Sequence, residues 1–353
     1  MAEMRNTEVV IIGAGPAGAT CAFLLQQAGV DCVLVDQAAF PREKVCGGGL
    51  TVKAYRLLAE LMPALHYDYQ SVRMLRLMLD DKEICEFEPA AELRVVNRKD
   101  FDYALLQQYL GLGGMFVQDA FAKYELLPDG AVLVSLRSGE QLRCKYLVGA
   151  DGANSHVRRQ MLGEYGGNTL FLEQYVPKGA DAIEGVVSRS YAAGYYYRFP
   201  GVGHDVVGFG DRRASVERFR EILAEKGITE TKIKGAFIPT EEVVSDSDRI
   251  ILIGDAGGFV NKLTYEGLYY AFATARNAAR AILEGVPFKE TNRLIFRKKR
   301  SERWKAWLFY SGAGRLFLRC GSRISTRLIK RFYDRGVRDA HSDGKWRRME
   351  RIF

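Results

Sequence analysis

The run Glu8-Val-Val-Ile-Ile-Gly13-Ala-Gly15-Pro-Ala-Gly18 constrains this chain more than any other stretch. An apolar segment of strand length breaks into glycines, and Ala19-Thr-Cys-Ala-Phe-Leu-Leu-Gln-Gln-Ala28 follows with helix-forming composition. Gly29 stops the helix, and Val30-Asp-Cys-Val-Leu-Val35 reads as a second buried strand closing on Asp36. Strand, crossover helix and strand make a complete βαβ unit, the context that a lone Gly-x-Gly-x-x-Gly lacks. Gly13 permits the tight turn, Gly15 lets the backbone approach a pyrophosphate, and Gly18 lets helix pack on strand, with Ala17 between them. The helix N-terminus offers free N–H groups to phosphates, and Asp36 is the expected acceptor for a ribose hydroxyl. These residues predict a dinucleotide site and leave FAD and NAD both open.

The rest of the chain must supply a second layer. At 353 residues it is about twice the usual domain size, and 48% hydrophobic with 27% charged residues is a globular balance that excludes a disordered chain. Six cysteines without a C-x-x-C pair read as reduced thiols, with no zinc framework and no metal site expected. No apolar run suits a secretion signal or a spanning helix, which needs about 20 apolar residues, so the expected location is cytoplasmic. Charge is uneven: Arg293 to Phe353 carries 19 Lys or Arg against 5 Asp or Glu, a net +14, which leaves the first 292 residues at −6.

Strand-like stretches at Val72 to Phe87 and Ala131 to Gly149 flank a helical Asp100 to Gly111, and Thr169 to Gly210 is β-rich and aromatic. Two later segments choose between the dinucleotides. Tyr146-Leu-Val-Gly-Ala-Asp151-Gly152 is a strand running into a turn and a helix, and Ile253-Gly254-Asp255-Ala-Gly257 repeats that logic. With these three motifs in this order the sequence resembles the para-hydroxybenzoate hydroxylase-like flavoprotein superfamily. The resemblance implies FAD, with Asp255 on the ribityl chain, the Asp151-Gly152 turn beside the nucleotide segment, and Arg42 and Arg98 along the cofactor. Independently, the helix beginning near Gly267 and Leu268 would aim its positive end at the anionic edge of a reduced flavin.

Three stretches narrow the resemblance: Phe40-Pro-Arg-Glu-Lys-Val-Cys46-Gly47-Gly48-Gly-Leu, Tyr195-Tyr-Tyr-Arg-Phe-Pro200, and Asp255 to Ala271. They are similar to the geranylgeranyl reductase family, in particular to its short bacterial members, which use FAD to saturate isoprenoid double bonds. The implied architecture is α/β: a Rossmann-like FAD-binding domain over 1–71, 98–165 and 246–287, an inserted antiparallel β-sheet substrate domain over 72–97 and 166–245, and a basic helical region over 288–353. The chain departs from the family pattern where Tyr197 replaces Trp, Gly201 replaces a basic residue and Lys262 replaces Pro.

An alkene accepting hydride and a proton calls for an apolar, water-excluding pocket with electron-rich walls. Tyr195, Tyr197 and Phe199 share one strand face by the two-residue period, and Tyr265, Tyr269 and Phe272 are expected at the start of the helix opposite, together forming an aromatic channel. Cys46, Tyr195, Tyr197 and Tyr265 are the candidate catalytic side chains. Cys46 follows Arg42 and Lys44, cations that would favour its thiolate, and the family places a cysteine in this turn near the isoalloxazine. Expected partners are a prenyl-type substrate and an external electron donor, NAD(P)H or a reduced redox protein. The basic tail, with Arg297-Lys-Lys-Arg300, Trp304, Trp307, Leu316, Phe317, Leu318, Arg319 and Arg323, suits peripheral contact with an anionic membrane on the inner face of the cell. No nucleic-acid module accompanies the charge. The rival enzyme is a flavin-dependent aromatic hydroxylase; the rival of another class is a non-catalytic, FAD-bearing membrane protein. A halogenase is disfavoured, since Trp304, Trp307 and Trp346 all lie in the tail.

Overall fold

The computed structural model describes residues 4–80, 82–245, 247–314, 326–327 and 329–331. The βαβ unit is present: Val9–Ile12 runs into α1 (Pro16–Gln27) and returns as Cys32–Asp36. It centres a five-stranded sheet in the order Ile250–Leu252, Tyr146–Gly149, Val9–Ile12, Cys32–Asp36, Met115–Gln118, with every neighbouring pair parallel. Side-chain parity divides its core. Val9, Ile11 and Leu34 pack under α1, α3 (Arg98–Gly111) and α6 (Leu268–Glu284), whereas Val10, Ile12, Val33 and Val35 face Val132, Val134 and Leu142 of a second sheet. That sheet orders Met4–Asn6, Gln141–Cys144, Val132–Leu136 and Phe121–Leu126. With both faces covered, the central strands read as unbroken apolar runs.

The aromatic stretch enters a seven-stranded sheet: Lys234–Pro239, Asn168–Val176, Asp205–Asp211, Tyr195–Phe199, Ile183–Val187, Leu75–Leu79, Lys82–Phe87. It is antiparallel except where Ile183–Val187 lies parallel to Leu75–Leu79. One face is sealed by α5 (Val216–Glu225), whose Phe219, Ile222 and Leu223 meet Tyr196, Val207 and Phe209. The other face, carrying Tyr195, Tyr197 and Phe199, looks into the cleft between the sheets. A small sheet of Gly49–Leu50, Leu93–Val95 and Gln70–Val72, with α2 (Val52–Leu61), closes one side of that cleft. The sequence α4 (His156–Leu162), α7 (Phe288–Thr291) and α8 (Arg293–Tyr310) completes the helices discussed below.

The basic region begins as expected with a helix, α8, that docks through Ile295, Lys299, Glu302 and Ala306. Its exposed side carries Trp304 and Trp307, 61% and 67% accessible. The expectations placed on Arg315 to Cys320, Arg323 and Trp346 lie outside the described residues. Among the described residues, no helix is long and apolar enough to cross a membrane.

Candidate active site

The glycine turn forms because two backbones meet there. Gly13 sits at φ +104°, and a Cβ at that position would stand 2.3 Å from the Ala150 carbonyl oxygen, so only glycine lets the Asp151-Gly152 turn approach. A Cβ on Gly18 would stand 1.7 Å from the Gly13 carbonyl oxygen, which fixes how closely α1 lies on its strand. Asp36 accepts the Ala14 N–H at 2.7 Å and the Ala38 N–H at 2.8 Å, pinning the turn to the neighbouring strand while leaving acceptor capacity for a hydroxyl. No side chain caps the N-terminus of α1, so its N–H groups remain available beside Gly15 and Ala17 on the cleft wall. Asp151 is spent differently. Its carboxylate accepts from Ser155 Oγ at 2.5 Å, His156 N at 2.7 Å and Val157 N at 3.2 Å, capping α4, and burial raises its pKa.

The third motif lies on the same cleft. Gly254 (φ +54°) donates its N–H to Thr274 Oγ1 at 2.9 Å and packs on Ala17 away from the cleft, while Asp255 faces it. A Cβ on Gly267 would lie 3.3 Å from Asp255 Oδ1, so this carboxylate and the N-terminal end of α6, with Leu268, share one spot. Across from them, Gly48 (φ +74°) turns the chain where any Cβ would stand 2.1 Å from the Val96 carbonyl oxygen, and Gly47 lies against Phe199 and Tyr197.

Two arginines attend the Cys46 turn: Arg42 is engaged by Asp102 at 3.4 Å and by the Phe40 ring, and Arg98, bound to the same Asp102, is near enough to Cys46 to interact with it electrostatically. Arg98 is buried, not a solvated surface arginine. Burial works against its charge, but Asp102, bidentate at 2.8 and 2.9 Å, and Cys46 outweigh it and hold the pKa above its ordinary value. Three of the expected tyrosines come together: Tyr195 lies 6.0 Å from Tyr197 and 5.9 Å from Tyr265, ring centroid to centroid, while Tyr269 packs instead on Tyr270, Lys53 and Lys298. Tyr195 donates to the Thr264 carbonyl at 2.7 Å, and Tyr265 (φ +54°) donates to Ala193 O at 2.8 Å, which ties strand to loop. Phe272 does not join them. It points into the helical core against Phe101, one turn past the helix positions that face the cleft.

Two acids escaped the sequence reading. Asp102 sits one helical turn after Arg98, an i,i+4 pair whose signal was present. Glu173 is the only carboxylate in the apolar strand Asn168–Val176; it accepts the Cys46 N–H at 3.0 Å and the Tyr197 hydroxyl at 3.2 Å. Burial pushes its pKa up to about 7, against the lowering effect of those hydrogen bonds and of Lys234 and Arg98. Among the described residues, no group of three or more His, Cys, Asp or Glu side chains is disposed to hold a metal.

Gly13, Asp36, Cys46, Arg98, Glu173, Tyr195, Tyr197, Asp255 and Tyr265 line one cleft of about 2790 Å³. A single ligand fills roughly 300–1,000 Å³, so the space admits a dinucleotide and a second long molecule. The glycine cradle, uncapped helix end and Asp36 fit the adenine-side half of FAD, and Asp255 with the α6 end fits the flavin side. Comparison with known proteins agrees: a model described as an FAD binding domain matches residues 6–62 and 128–175. Geranylgeranyl diphosphate reductase of Oryza sativa is 26% identical over 80% of this chain and 67% of its own length. Menaquinone reductase of Mycobacterium tuberculosis is 27% identical over 78% and 76%. A geranylgeranyl bacteriochlorophyll reductase-like structure from Thermoplasma acidophilum aligns with TM-score 0.75 at 16% identity, covering 99% of this chain and all of the other. At that identity the likeness concerns the fold, which a halogenase solved with FAD shares at TM-score 0.69. FAD is the cofactor.

Proposed function

We propose that this chain, an FAD-dependent oxidoreductase related to the geranylgeranyl and menaquinone reductases, saturates carbon–carbon double bonds of a prenyl-type lipid. One observation carries the reading. Past the tyrosines the cleft continues between the large sheet and α8 along Leu75, Leu77, Phe87, Ile183, Val187 and Phe309, an apolar strip suited to an isoprenoid chain, with Arg76, Glu184 and Lys305 also on the cleft lining. Bound and reduced, FAD supplies the hydride. The chain's own residues bind the cofactor along Gly13, Asp36 and Asp255, exclude water through the apolar walls, and offer the π faces of Tyr195, Tyr197 and Tyr265 to an electron-poor carbon. Electrons reach the flavin from outside, from NAD(P)H or a reduced redox protein.

The test is anaerobic. Reduced holoenzyme mixed with a polyprenyl lipid is expected to reoxidise and return product carrying two extra hydrogens per bond. A product gaining one oxygen atom, formed only in air, would instead identify a hydroxylase, and neither outcome would identify a binding protein. Peripheral attachment belongs to the same proposal. Helical periodicity puts Arg293, Arg297, Arg300, Trp304 and Trp307 on the side of α8 opposite its buried residues, a basic and aromatic face matched to anionic headgroups. The proposed location is accordingly the cytoplasm, at the inner membrane face.

A further inference from the structure

Glu173 is a buried acid that cofactor binding does not require. It is 1% exposed, and it lines the cleft beside Tyr197. Apart from Asp205–Asp211, which meets it with Gly208, the elements around it contribute polar or charged groups. The turn after Phe40 offers the Cys46 N–H, and Tyr195–Phe199 offers the Tyr197 hydroxyl. From α3 comes Arg98, already neutralised by Asp102, and from Lys234–Pro239 comes Lys234, already bonded to Glu43 at 3.1 Å. Tyr175, two residues along its own strand, is likewise shared with Glu43. No cation forms an ion pair with Glu173 among the described residues, which leaves a carboxyl stored in an apolar strand.

Resting on the reductase reading above, we propose that Glu173, acting through the Tyr197 hydroxyl, supplies the proton that accompanies hydride delivery to the alkene. Tyr197 cannot be the net source, because burial and then Glu173 hold its pKa well above the ordinary phenol value. A carboxyl whose pKa is raised to about 7 holds a transferable proton at neutral pH. With Glu173 protonated, the 3.2 Å contact carries its proton toward the phenol oxygen. One alkene carbon bonds the hydride and its electron pair, and its neighbour bonds the Tyr197 proton as that O–H breaks. The Glu173 proton then replaces it on Tyr197. The flavin loses two electrons, the substrate gains two, and the Glu173 carboxylate regains a proton from solvent before the next turnover.

The test compares wild type, Glu173→Gln and Tyr197→Phe, each checked for yellow, stoichiometric FAD. In anaerobic single turnovers the wild-type rate is expected to fall as pH rises through about 7. Glu173→Gln is expected to be slower by roughly 10²–10⁴-fold, the usual worth of a general acid, and to lose that limb. An independent readout uses no turnover: infrared titration of the apoprotein should show a protonated-carboxyl band, absent in Glu173→Gln, that disappears near pH 7. In Tyr197→Phe, which removes a hydrogen bond to the carboxylate, the band should persist to higher pH. If Glu173→Gln fails to take up FAD, Tyr197→Phe carries both arms alone. Turnover in Glu173→Gln within a few-fold of wild type, or a band already lost near pH 4.5, would overturn the inference while leaving the reductase reading intact. A wild type that hydrogenates no prenyl lipid would overturn that reading instead, and the infrared arm would still report the proton store separately.

Discussion

Arg98 and Asp102 face one another one turn apart on α3, joined by two hydrogen bonds of 2.8 and 2.9 Å, with Asp102 wholly out of solvent. Asp102 also holds Arg42 at 3.4 Å, so one carboxylate orients both arginines at the Cys46 turn. Removing it strands a buried guanidinium. Asp102→Ala is expected to lose about 3–5 kcal/mol in denaturant unfolding of the holoenzyme, whereas Arg42→Ala, whose side chain is 20% exposed, should lose far less. Equal losses would show that Asp102 matters only through Arg42.

Gly15 and Gly18 belong to one motif but should fail in different ways. A Cβ on Gly18 meets the Gly13 backbone at 1.7 Å, so Gly18→Ala must displace α1 and is expected to leave little folded protein. A Cβ on Gly15 meets only the Arg42 side chain at 3.3 Å, so Gly15→Ala should fold normally. Its methyl would project into the turn expected to receive the pyrophosphate, and crowding of about 1–3 kcal/mol would weaken FAD by roughly five- to hundredfold. Calorimetry of the apoproteins and FAD titration separate the two. A Gly15→Ala protein that binds FAD as tightly as wild type would move the pyrophosphate elsewhere.

Much of this was legible because the cofactor half is written in local patterns. The Gly13 turn needs glycine for backbone reasons that hold wherever the motif occurs, and the parity of Tyr195, Tyr197 and Phe199 follows from pleating alone. Glu173 was not legible for the opposite reason. Its partners are Cys46, 127 residues earlier, and Tyr197, on the next strand but one, so only tertiary pairing turns an odd carboxylate in an apolar strand into a site. Phe272 was misplaced because the periodicity of α6 fixes spacing and not the angle at which the helix enters the cleft. Likewise, proximity in sequence pointed to Arg42 and Lys44 beside Cys46, while folding adds Arg98 from α3, which no local spacing announces.

Stability should carry a pH signature of Glu173. Its folded pKa is raised to about 7, so the native state holds a proton that the unfolded chain gives up lower on the scale. The contribution is fully present below the unfolded value near 4.5 and is lost as pH rises through about 7. Glu173→Gln never bears the charge. Its stability relative to wild type is therefore expected to rise between about pH 4.5 and 7 by up to roughly 3 kcal/mol, at about 1.36 kcal/mol per unit, and to level off above that. Urea unfolding at several pH values checks this, and a difference independent of pH would mean that the wild-type carboxyl is ionised throughout.

The exposed face of α8 predicts how the enzyme meets its substrate. Trp304 and Trp307 stack edge to face at 5.3 Å on a helix whose Lys305 and Leu308 line the same cleft as the tyrosines, so a lipid surface touching this face would lie at the cleft mouth. Arginines near an anionic surface contribute about 1 kcal/mol each. Arg297→Ala with Arg300→Ala should therefore weaken binding to vesicles rich in phosphatidylglycerol by about 2 kcal/mol, roughly thirtyfold, and added salt should reproduce part of that loss. Trp304→Ala with Trp307→Ala should weaken binding to the same vesicles in a manner that salt does not mimic, because the rings insert and do not pair. Both double variants should keep turnover of a detergent-dispersed prenyl substrate, since none of the four residues lines the cleft. Co-sedimentation unchanged in both would assign the basic face of α8 to solvent.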